Sequence, residues 1–307
     1  MAGKTYKRTE IEAYGKINLS LDIKGLDARR YHLLETIMQT VPVSDSVVVT
    51  STVKGGTPPK NVVLPYRLPI TLTTDVRGLP SDSRNTAYKA AELMLKTFPH
   101  ILGAHEDISI NIKKRIPVGG GLGGSSADCA AVIKAFNTHF ELGLDDARMA
   151  EIGAKLGSDV PFMITGGTAL VTGTGEIVEK LPAPEGLAIL LCWPGFGMDT
   201  WEVYRKYDTI SIDPEARPDT VKLLEALNAG DNAAFASGLK NVLEIPAFSL
   251  KNELSRLKTR LGNIGALNVL MSGSGSSFIC LFKKESEAKA AMQPLLAEGL
   301  ECLTFRI

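Results

Sequence analysis

Five glycines fall within six consecutive positions, from Gly119 to Gly124, between a strand-like segment and an alanine-rich helix. Glycine lets backbone N–H groups approach an anion closely, and the helix predicted to begin near Ser125 adds the positive end of its dipole. Ser125 and Ser126 place two hydroxyl groups at that helix start. Residue types and spacing together predict a phosphate-binding loop, with a glycine-rich turn that binds no ligand as the alternative.

Two other nucleotide-binding patterns fit this chain less well. The spacing Gly119-x-Gly121-x-x-Gly124 matches the dinucleotide fingerprint, but it does not open a first βαβ unit. A dinucleotide-binding oxidoreductase is therefore supported by the glycine spacing alone. Gly3-Lys4-Thr5 ends like a Walker loop, yet only two residues precede it, too few for a phosphate loop.

The segment 16–23 alternates between apolar and polar residues and predicts a half-buried strand. Its apolar residues face a core. Lys16 and Asn18 share the opposite face with Ser20 and Asp22. The alternation explains the apolar residues, but it gives no use for a lysine and an asparagine that point the same way.

Asp159 stands two residues before Pro161, a position that predicts the start of a short helix. An N-cap aspartate is the plain interpretation. The functional one is a carboxylate that accepts a proton from an attacking hydroxyl group. Phosphoryl transfer needs phosphate positioning, charge neutralisation and such a carboxylate, and two glycine–serine loops, Lys16 and Asp159 supply those parts.

Composition excludes several classes of protein. The 307 residues are 44% apolar and 22% charged, and 34 basic residues balance 34 acidic ones. This neutrality gives no electrostatic argument for binding nucleic acid or an anionic membrane. The charge-free run from Leu261 to Phe282 contains four glycines and predicts strand, loop and strand, not a membrane helix. A monomer or weak homodimer is the default expectation.

The four cysteines and the N-terminus bear on location. Cys129, Cys192, Cys280 and Cys302 are widely spaced without a C-x-x-C pair, so neither a zinc site nor a disulfide framework is predicted. The N-terminal residues carry charges and lack an apolar signal core. We therefore predict reduced thiols and a cytoplasmic protein.

Periodicity and turn signals predict the remaining elements. Helices are expected from Asn85 to Pro99, from Ser125 to about Phe140, from Asp145 to near Gly157, and over 221–228, 232–239, 250–261 and 285–298. Strands are expected over 31–41, 47–50, 108–112, 187–193, 268–271 and 278–282, with a hairpin over 168–178. The segments 54–69 and 205–220 are expected to be loops.

Three motifs in order resemble those of the GHMP small-molecule kinases. They are AYGKINLSLDI (13–23), PVGGGLGGSSA (117–127) and MSGSGSSFICLF (271–282). Four further stretches are similar to the branch of that family that phosphorylates a cytidine-diphosphate sugar alcohol for isoprenoid synthesis. They are YHLLETIMQTV (31–41), RNTAYKAA (84–91), LGSDVPFMITGGTALVTGTGE (156–176) and FGMDTWEVY (196–204).

The resemblance implies a fold, a reaction and two cofactors. The implied fold is α+β in two domains, an ATP-binding domain over 1–166 that resembles domain 2 of ribosomal protein S5, and a ferredoxin-like substrate-side domain over 167–307. The implied reaction transfers a phosphoryl group from ATP to the 2-hydroxyl group of the cytidine-diphosphate sugar alcohol, with Mg²⁺ present. No metal ligand is identified from the sequence.

The resemblance also assigns site residues by position. Lys16 and Asp159 match the catalytic pair, with Asp159 as general base and Lys16 stabilising the developing negative charge. The nucleotide is assigned to the phosphate loop with Lys114 beside it: Lys114, Pro117, Val118, Gly119, Gly120, Gly121, Leu122, Gly123, Gly124, Ser125, Ser126 and Ala127. The substrate is assigned to Asn18, Tyr31, His32, Thr200 and Tyr204, with the loop Ser272–Ser276 around the transferred group.

The chain departs from the family pattern before Tyr31, where Arg29-Arg30 replaces the usual Asp-Gly. Without glycine, the positive φ values open to this turn are restricted. Two other interpretations stay open. One is a different GHMP kinase, specific for homoserine or mevalonate. The other is a non-catalytic ligand-binding regulator on the same fold.

Overall fold

The computed structural model describes residues 5–54 and 62–307. The chain forms two compact units, each built from segments that are not contiguous in sequence. The first unit contains the described parts of Met1–Gly15, Val43–Ile116 and Gly124–Thr165; the second contains Lys16–Pro42, Pro117–Gly123 and Gly166–Ile307. The predicted division into domains 1–166 and 167–307 stays a prediction.

The described residues form ten strands and eleven α-helices. The strands are β1 (Thr5–Leu26), β2 (His32–Val53), β3 (Ile70–Thr74), β4 (His105–Lys113), β5 (Thr168–Gly173), β6 (Ile177–Leu181), β7 (Ala188–Trp193), β8 (Asn268–Met271), β9 (Phe278–Phe282) and β10 (Glu301–Arg306). The helices are α1 (Thr86–Thr97), α2 (Ile101–Ala104), α3 (Gly124–His139), α4 (Asp146–Ala154), α5 (Val160–Thr165), α6 (Thr200–Tyr207), α7 (Thr220–Asn228), α8 (Asn232–Gly238), α9 (Glu244–Leu250), α10 (Asn252–Gly262) and α11 (Glu285–Ala297).

In the first unit, helices cover strands whose apolar residues alternate. Strand β4 pairs antiparallel with the C-terminal half of β2 and parallel with β3. The isoleucines of β4 are buried, as their alternation predicts. Helix α3 packs against α1 and α5. Helix α1 begins where predicted, because the side chain of Asn85 accepts a hydrogen bond from the N–H of Ala87.

In the second unit, four antiparallel strands run in the order β10-β7-β9-β8. Strand β7 is an interior strand, and β8 and β9 span the predicted residues. The N-terminal half of β2 pairs with β5, which forms the predicted hairpin with β6. A buried cluster that includes Leu190, Met271 and Phe278 forms the core of this unit.

The prediction that β1 is half-buried is wrong. Both faces of its central residues are buried, and Lys16 and Asn18 are only 5% and 1% exposed. The polar face is covered because hydrogen bonds satisfy it: the hydroxyl of Thr36 donates to the carbonyl oxygen of Ser20, and the N–H of Ile37 donates to the Ser20 hydroxyl.

Other predicted elements differ in extent. The strands predicted over 31–41 and 47–50 form the single strand β2, although Pro42, which interrupts the sequence pattern, cannot donate a backbone hydrogen bond. Helix α4 is capped by Asp145 as predicted, but it ends at Ala154, before Gly157. Helix α6 extends into the predicted loop after residue 204, and β3, β10, α2 and α9 were not predicted.

Two further predictions concern loops and classes of protein. Residues 55–61 of the predicted loop 54–69 lie outside the described residues, and 62–69 contain no helix or strand. None of the helices in the described part of the chain has the length and apolar character needed to cross a membrane. All four cysteines are free thiols, as predicted.

Candidate active site

Lys16 lies buried on β1 beside the glycine-rich loop. Its Nζ atom is 2.6 Å from Oδ1 of Asn18, two residues along the same strand face. The backbone N–H of Lys16 donates to the carbonyl oxygen of Leu122 at 3.0 Å, which ties the strand to the loop. Asn18 in turn donates from Nδ2 to the hydroxyl of Thr36 at 2.8 Å. The two polar residues that alternation left unexplained therefore form one buried pair in the second unit.

The glycine-rich loop and the loop Ser272–Ser276 pack backbone against backbone. The N–H of Ser277 donates to the carbonyl oxygen of Gly120 at 3.1 Å, and the Ser272 hydroxyl donates to that of Gly121 at 3.2 Å. Gly121 has φ of 76°, and a Cβ atom there would lie 2.8 Å from the carbonyl oxygen of Gly275. Only glycine fits at this position.

A third segment of the second unit closes on the same loop. The N–H of Met198 donates to the carbonyl oxygen of Gly119 at 3.1 Å, and a Cβ atom on Gly119 would lie 3.0 Å from Cα of Gly197. The Ser276 hydroxyl donates to the carbonyl oxygen of Phe196. Three segments that belong to separate sequence motifs, 119–121, 196–198 and 272–277, are thus held together largely by main-chain contacts.

Two residues without an assigned function support the loop Ser272–Ser276. Asn241, 4% exposed, donates from Nδ2 to the carbonyl oxygens of Met271 at 2.7 Å and Gly273 at 2.8 Å. The Glu244 carboxylate accepts from the N–H of Met271 at 2.8 Å. Sequence reasoning missed both roles, because each joins segments about thirty residues apart.

Among the predicted substrate residues of the second unit, His32 and Tyr204 lie together, whereas Tyr31 contacts a different side chain. The rings of His32 and Tyr204 have centroids 4.9 Å apart and are tilted by 49°. The Thr200 hydroxyl lies 2.8 Å from the Ser274 hydroxyl, on the same face of α6 as Tyr204. Tyr31 is 62% exposed, and the guanidinium group of Arg29 lies 5.3 Å from its ring centroid. The structure brings His32 and Tyr204 together but does not pair Tyr31 with either ring.

Residues that the sequence analysis did not assign line a cavity of about 400 Å³ next to His32. Oδ1 of Asp208 lies 2.8 Å from Nε2 of His32. Arg217 donates to Asp22 at 2.6 Å and to the hydroxyl of Tyr207 at 3.2 Å. Four of the lining residues make these contacts: Asp22, Tyr207, Asp208 and Arg217. The sequence pattern points to Asp22 alone, because it shares the strand face of Lys16.

The turn before Tyr31 accommodates its two arginines. The Asp27 carboxylate accepts from the N–H groups of Tyr31 at 2.8 Å and Arg29 at 2.9 Å. These hydrogen bonds lower the pKa of Asp27, that from Tyr31 most. Arg30 adopts φ of 66°, a conformation that glycine adopts without strain.

The first unit carries the other predicted site residues. Helix α3 begins at Gly124, so Ser125, Ser126 and Ala127 form its first turn as predicted. The carbonyl oxygen of Ser125 accepts from the Thr86 hydroxyl at 2.9 Å. Lys114 forms ion pairs with two buried carboxylates.

Asp159 belongs to the same unit and directly precedes α5. Its carbonyl oxygen accepts from the N–H of Met163 at 3.0 Å, so the short helix predicted at this point is present. The described residues contain no group of three or more His, Cys, Asp or Glu side chains arranged to hold a metal ion.

Comparisons with known proteins identify relatives over most of the chain. Models of the GHMP kinases N terminal domain and of GHMP kinases C terminal match residues 85–167 and 223–300. A 4-diphosphocytidyl-2-C-methyl-D-erythritol kinase of Syntrophomonas wolfei is 38% identical over 283 residues, which cover 92% of each chain. That of Acetivibrio thermocellus is 38% identical over 292 residues, which cover 95% of this chain and 96% of the relative.

Solved structures match in fold. A crystal structure of 4-(cytidine 5'-diphospho)-2C-methyl-D-erythritol kinase has a TM-score of 0.72 and 29% identity and covers 97% of this chain and 100% of that one. Homoserine kinase from Cytophaga hutchinsonii has the same TM-score of 0.72 with 20% identity, covering 99% and 95%. The predicted α+β, two-domain GHMP fold is confirmed. Since the TM-scores are equal, sequence identity alone separates the two activities.

Proposed function

The chain belongs to the 4-diphosphocytidyl-2-C-methyl-D-erythritol kinases of the GHMP kinase family, and from this premise we propose its reaction. ATP donates its γ-phosphoryl group to the 2-hydroxyl group of 4-diphosphocytidyl-2-C-methyl-D-erythritol, a step of the non-mevalonate route to isoprenoid precursors. Four free thiols support a reducing compartment, so we place the reaction in the cytoplasm of a cell.

The observation that carries this proposal is the position of Lys16. Its ammonium group is buried, and its backbone is hydrogen-bonded to the glycine-rich loop at Leu122. Negative charge develops during phosphoryl transfer. A buried cation at a phosphate loop stabilises that charge more strongly than a solvent-exposed cation would. We assign that role to Lys16 and the role of general base, which accepts the proton of the 2-hydroxyl group, to Asp159.

The nucleotide phosphates are assigned to residues 117–127. Main-chain N–H groups of the loop and the first turn of α3 suit an anion. Mg²⁺ fits this chemistry because it is commonly held by substrate phosphates, waters and one or two protein oxygens. We assign no residue of this chain to the ion. When bound, the ion would neutralise charge on the phosphates.

The cytosine base is assigned to His32 and Tyr204. Because a carboxylate only accepts, the contact with Asp208 requires a proton on Nε2 of His32. In the neutral ring Nδ1 then accepts a hydrogen bond, which suits the amino group of cytosine and not the carbonyl oxygen of uracil. The ring of Tyr204 supplies a stacking surface, and Asn18, Thr200 and Tyr31 contact the rest of the substrate.

The reaction is tested by measuring ADP formation with the cytidine substrate, its uridine counterpart, homoserine and mevalonate. We expect turnover with the cytidine compound and at least about tenfold lower kcat/KM with the uridine compound, since one mispaired buried hydrogen bond costs about 1–3 kcal/mol. Efficient phosphorylation of homoserine or mevalonate with no use of the cytidine compound would assign another GHMP activity. ATP binding without turnover of any acceptor would indicate a regulator.

The role of Asp159 is tested against its interpretation as an N-cap. We expect Asp159→Asn to reduce kcat by roughly 10²–10⁴ and to leave KM for ATP nearly unchanged, because a positioned general base is lost. Asp145→Asn is the matched control, since Asp145 caps α4 and asparagine caps equally well. Near-normal turnover of a folded Asp159→Asn variant would leave Asp159 only a structural role.

A further inference from the structure

The ammonium group of Lys114 lies between two buried carboxylates in the first unit. It forms an ion pair with Asp45, and its Nζ atom is 2.6 Å from Oδ2 of Asp128. The side chains of Lys114, Asp45 and Asp128 are 6%, 0% and 8% exposed. Because a buried charge is strongly destabilising when its partner is removed, these three groups depend on one another.

Asp45 fixes the chain just before the glycine-rich loop. Its Oδ1 atom accepts hydrogen bonds from the N–H of Arg115 at 2.5 Å and from the N–H of Ile116 at 2.8 Å. Pro117, the first residue of the loop, follows directly. The carboxylate therefore holds the segment from which the loop starts, and two N–H donors stabilise its negative charge.

Lys114 and Asp128 fix the chain just after the loop. Asp128 lies in α3, four residues beyond Gly124, where the helix begins. A Cβ atom on Gly124 would lie 3.4 Å from Nζ of Lys114, so the ammonium group lies against the helix start itself. The cluster of Asp45, Lys114 and Asp128 thus joins both chain segments that flank the phosphate loop.

The cluster carries one more acidic group than basic groups, and the two acids are not equivalent. Oδ1 of Asp128 has no hydrogen-bond partner among the described residues. Burial raises the pKa of Asp128 to about 7, an effect that Lys114 opposes and Asp45 reinforces. The neighbouring Cys129 stays a neutral thiol, since burial and Asp128 raise its pKa to about 12. Asp128 is therefore the group whose charge changes near neutral pH.

A third carboxylate at the cluster is that of Asp75. Its carboxylate accepts from the backbone N–H of Lys114 at 2.9 Å on the exposed side, so it contacts the main chain and not the ammonium group. Hydrogen bonds and ion pairs thus join four titratable residues here, Asp45, Asp75, Lys114 and Asp128; Cys129 follows Asp128 in α3, and Arg115 contacts Asp45 through its main-chain N–H.

We propose that Asp45, Lys114 and Asp128 are positioning residues for the nucleotide, with Lys114 acting through the two carboxylates and not as a ligand of ATP. The proposal rests on the use of ATP proposed above. The cluster sets the geometry of the α3 N-terminus, where the phosphates are assigned. Negative charge on Asp128 opposes a polyanion bound there, so ATP binds more tightly to the form in which Asp128 is neutral.

The first experiment separates the two roles of Lys114 by a double-mutant cycle. We expect Lys114→Met to raise KM for ATP by about tenfold or more and to lower kcat less, because two unpaired carboxylates displace the helix start. Adding Asp128→Asn removes one of those charges, while Asp45 keeps its two N–H donors. KM for ATP should then return to within about threefold of the wild-type value.

A direct nucleotide contact predicts the opposite result, since removing Asp128 cannot replace a lost ligand. A double variant with a KM for ATP as high as that of Lys114→Met therefore overturns the proposal. The control is the exposed pair Lys96–Glu92 on α1, with Nζ and Oε1 3.0 Å apart. Lys96→Met with Glu92→Gln repeats the chemical changes in the same unit and should leave KM unchanged.

The second experiment measures pH dependence and does not require Lys114→Met to fold. Between about pH 6 and about pH 8.5, KM for ATP of the wild-type protein should rise about fivefold more than that of Asp128→Asn, since only the wild type gains the negative charge. Titration of ATP itself is common to both proteins. Parallel profiles overturn the proposal, whereas a wild-type protein that turns over no ATP at any pH overturns the proposed function instead.

Discussion

Two regions of this chain hold backbone segments in place by different means. In the second unit, the glycine-rich loop meets Ser272–Ser276 through main-chain hydrogen bonds and contacts too close for a side chain. In the first unit, the segments on either side of that loop are joined by the buried charges of Asp45, Lys114 and Asp128.

The difference predicts different sensitivities. A main-chain contact contains no titratable group, so it is insensitive to pH but cannot accept even a methyl group. A buried charge cluster has room for a neutral side chain of the same size, but removal of one charge leaves its partner unpaired, and the stability of the cluster depends on protonation. Substitutions that add side-chain atoms at these contacts should therefore strongly destabilise the second unit, and changes of pH should alter the stability of the first.

The largest effect is expected from Gly121→Ala. The new Cβ atom would lie 2.8 Å from the carbonyl oxygen of Gly275 and closer still to that of Ser272, and φ is 76°. We expect a loss of about 4 kcal/mol or more in the free energy of unfolding, because two backbone segments must separate. Urea denaturation measures it.

Gly143→Ala is the matched control for this prediction. Gly143 also has a positive φ, 68°, but a Cβ atom there would meet no atom within 4 Å. Its cost should be only the backbone strain, about 1–2 kcal/mol. Equal losses in both variants would show that backbone strain, and not the contact between the loops, excludes a side chain at Gly121.

The sequence predicted the local parts of this comparison and not the non-local ones. The helix cap at Asn85, the strands β8 and β9 and the start of α3 follow from turn residues and periodicity within a few positions. Lys114 and Asp45 are separated by 69 residues and His32 and Asp208 by 176. Periodicity describes one element at a time, so neither pairing could be predicted from it.

The next largest effect is the loss of stability of the first unit in acid. His139 is buried, with Nε2 2.8 Å from the Ser51 hydroxyl and Nδ1 2.9 Å from that of Thr9. Burial above all, with Lys7 and His105 nearby, lowers the pKa of His139 to about 4. The unfolded chain then binds more protons than the folded one below about pH 6.5, so stability falls as the pH falls towards about 4.

At full protonation this linkage amounts to about 3 kcal/mol, since one pKa unit corresponds to about 1.4 kcal/mol. Urea denaturation at several pH values between about 4 and about 7 measures it, and His139→Gln should lose the extra slope. His100→Gln, at an exposed position, should keep it. A wild-type slope no steeper than that of His139→Gln would contradict the assignment.

A smaller effect is expected from Asn241→Ala. The variant leaves the carbonyl oxygens of Met271 and Gly273 without the donor that they share. Loss of a buried donor costs about 1–3 kcal/mol. Because the Asn241 amide and both carbonyl groups are neutral, the loss should be the same at about pH 6 and about pH 8, as thermal denaturation will show. Asn263→Ala, at an exposed amide that donates to Thr259, is the control.

The smallest effect tests whether a positive φ by itself excludes side chains from the second unit. Arg30 has φ of 66°, close to the 76° of Gly121, yet it carries a long side chain because that side chain is exposed. A residue other than glycine in this conformation costs about 1–2 kcal/mol. Substitution by glycine removes this strain, but it also increases the conformational entropy of the unfolded chain, which offsets part of the stabilisation.

We therefore expect Arg30→Gly to raise the free energy of unfolding by up to about 1 kcal/mol, a shift of a few degrees in Tm. Arg67→Gly is the control, since Arg67 is also exposed but does not adopt a positive φ, and it should be neutral or slightly destabilising. If Arg30→Gly destabilises the protein instead, the arginine side chain contributes more than its backbone strain costs. In that case, the room available to the side chain would not by itself explain why an arginine occurs at position 30 while no side chain fits at position 121.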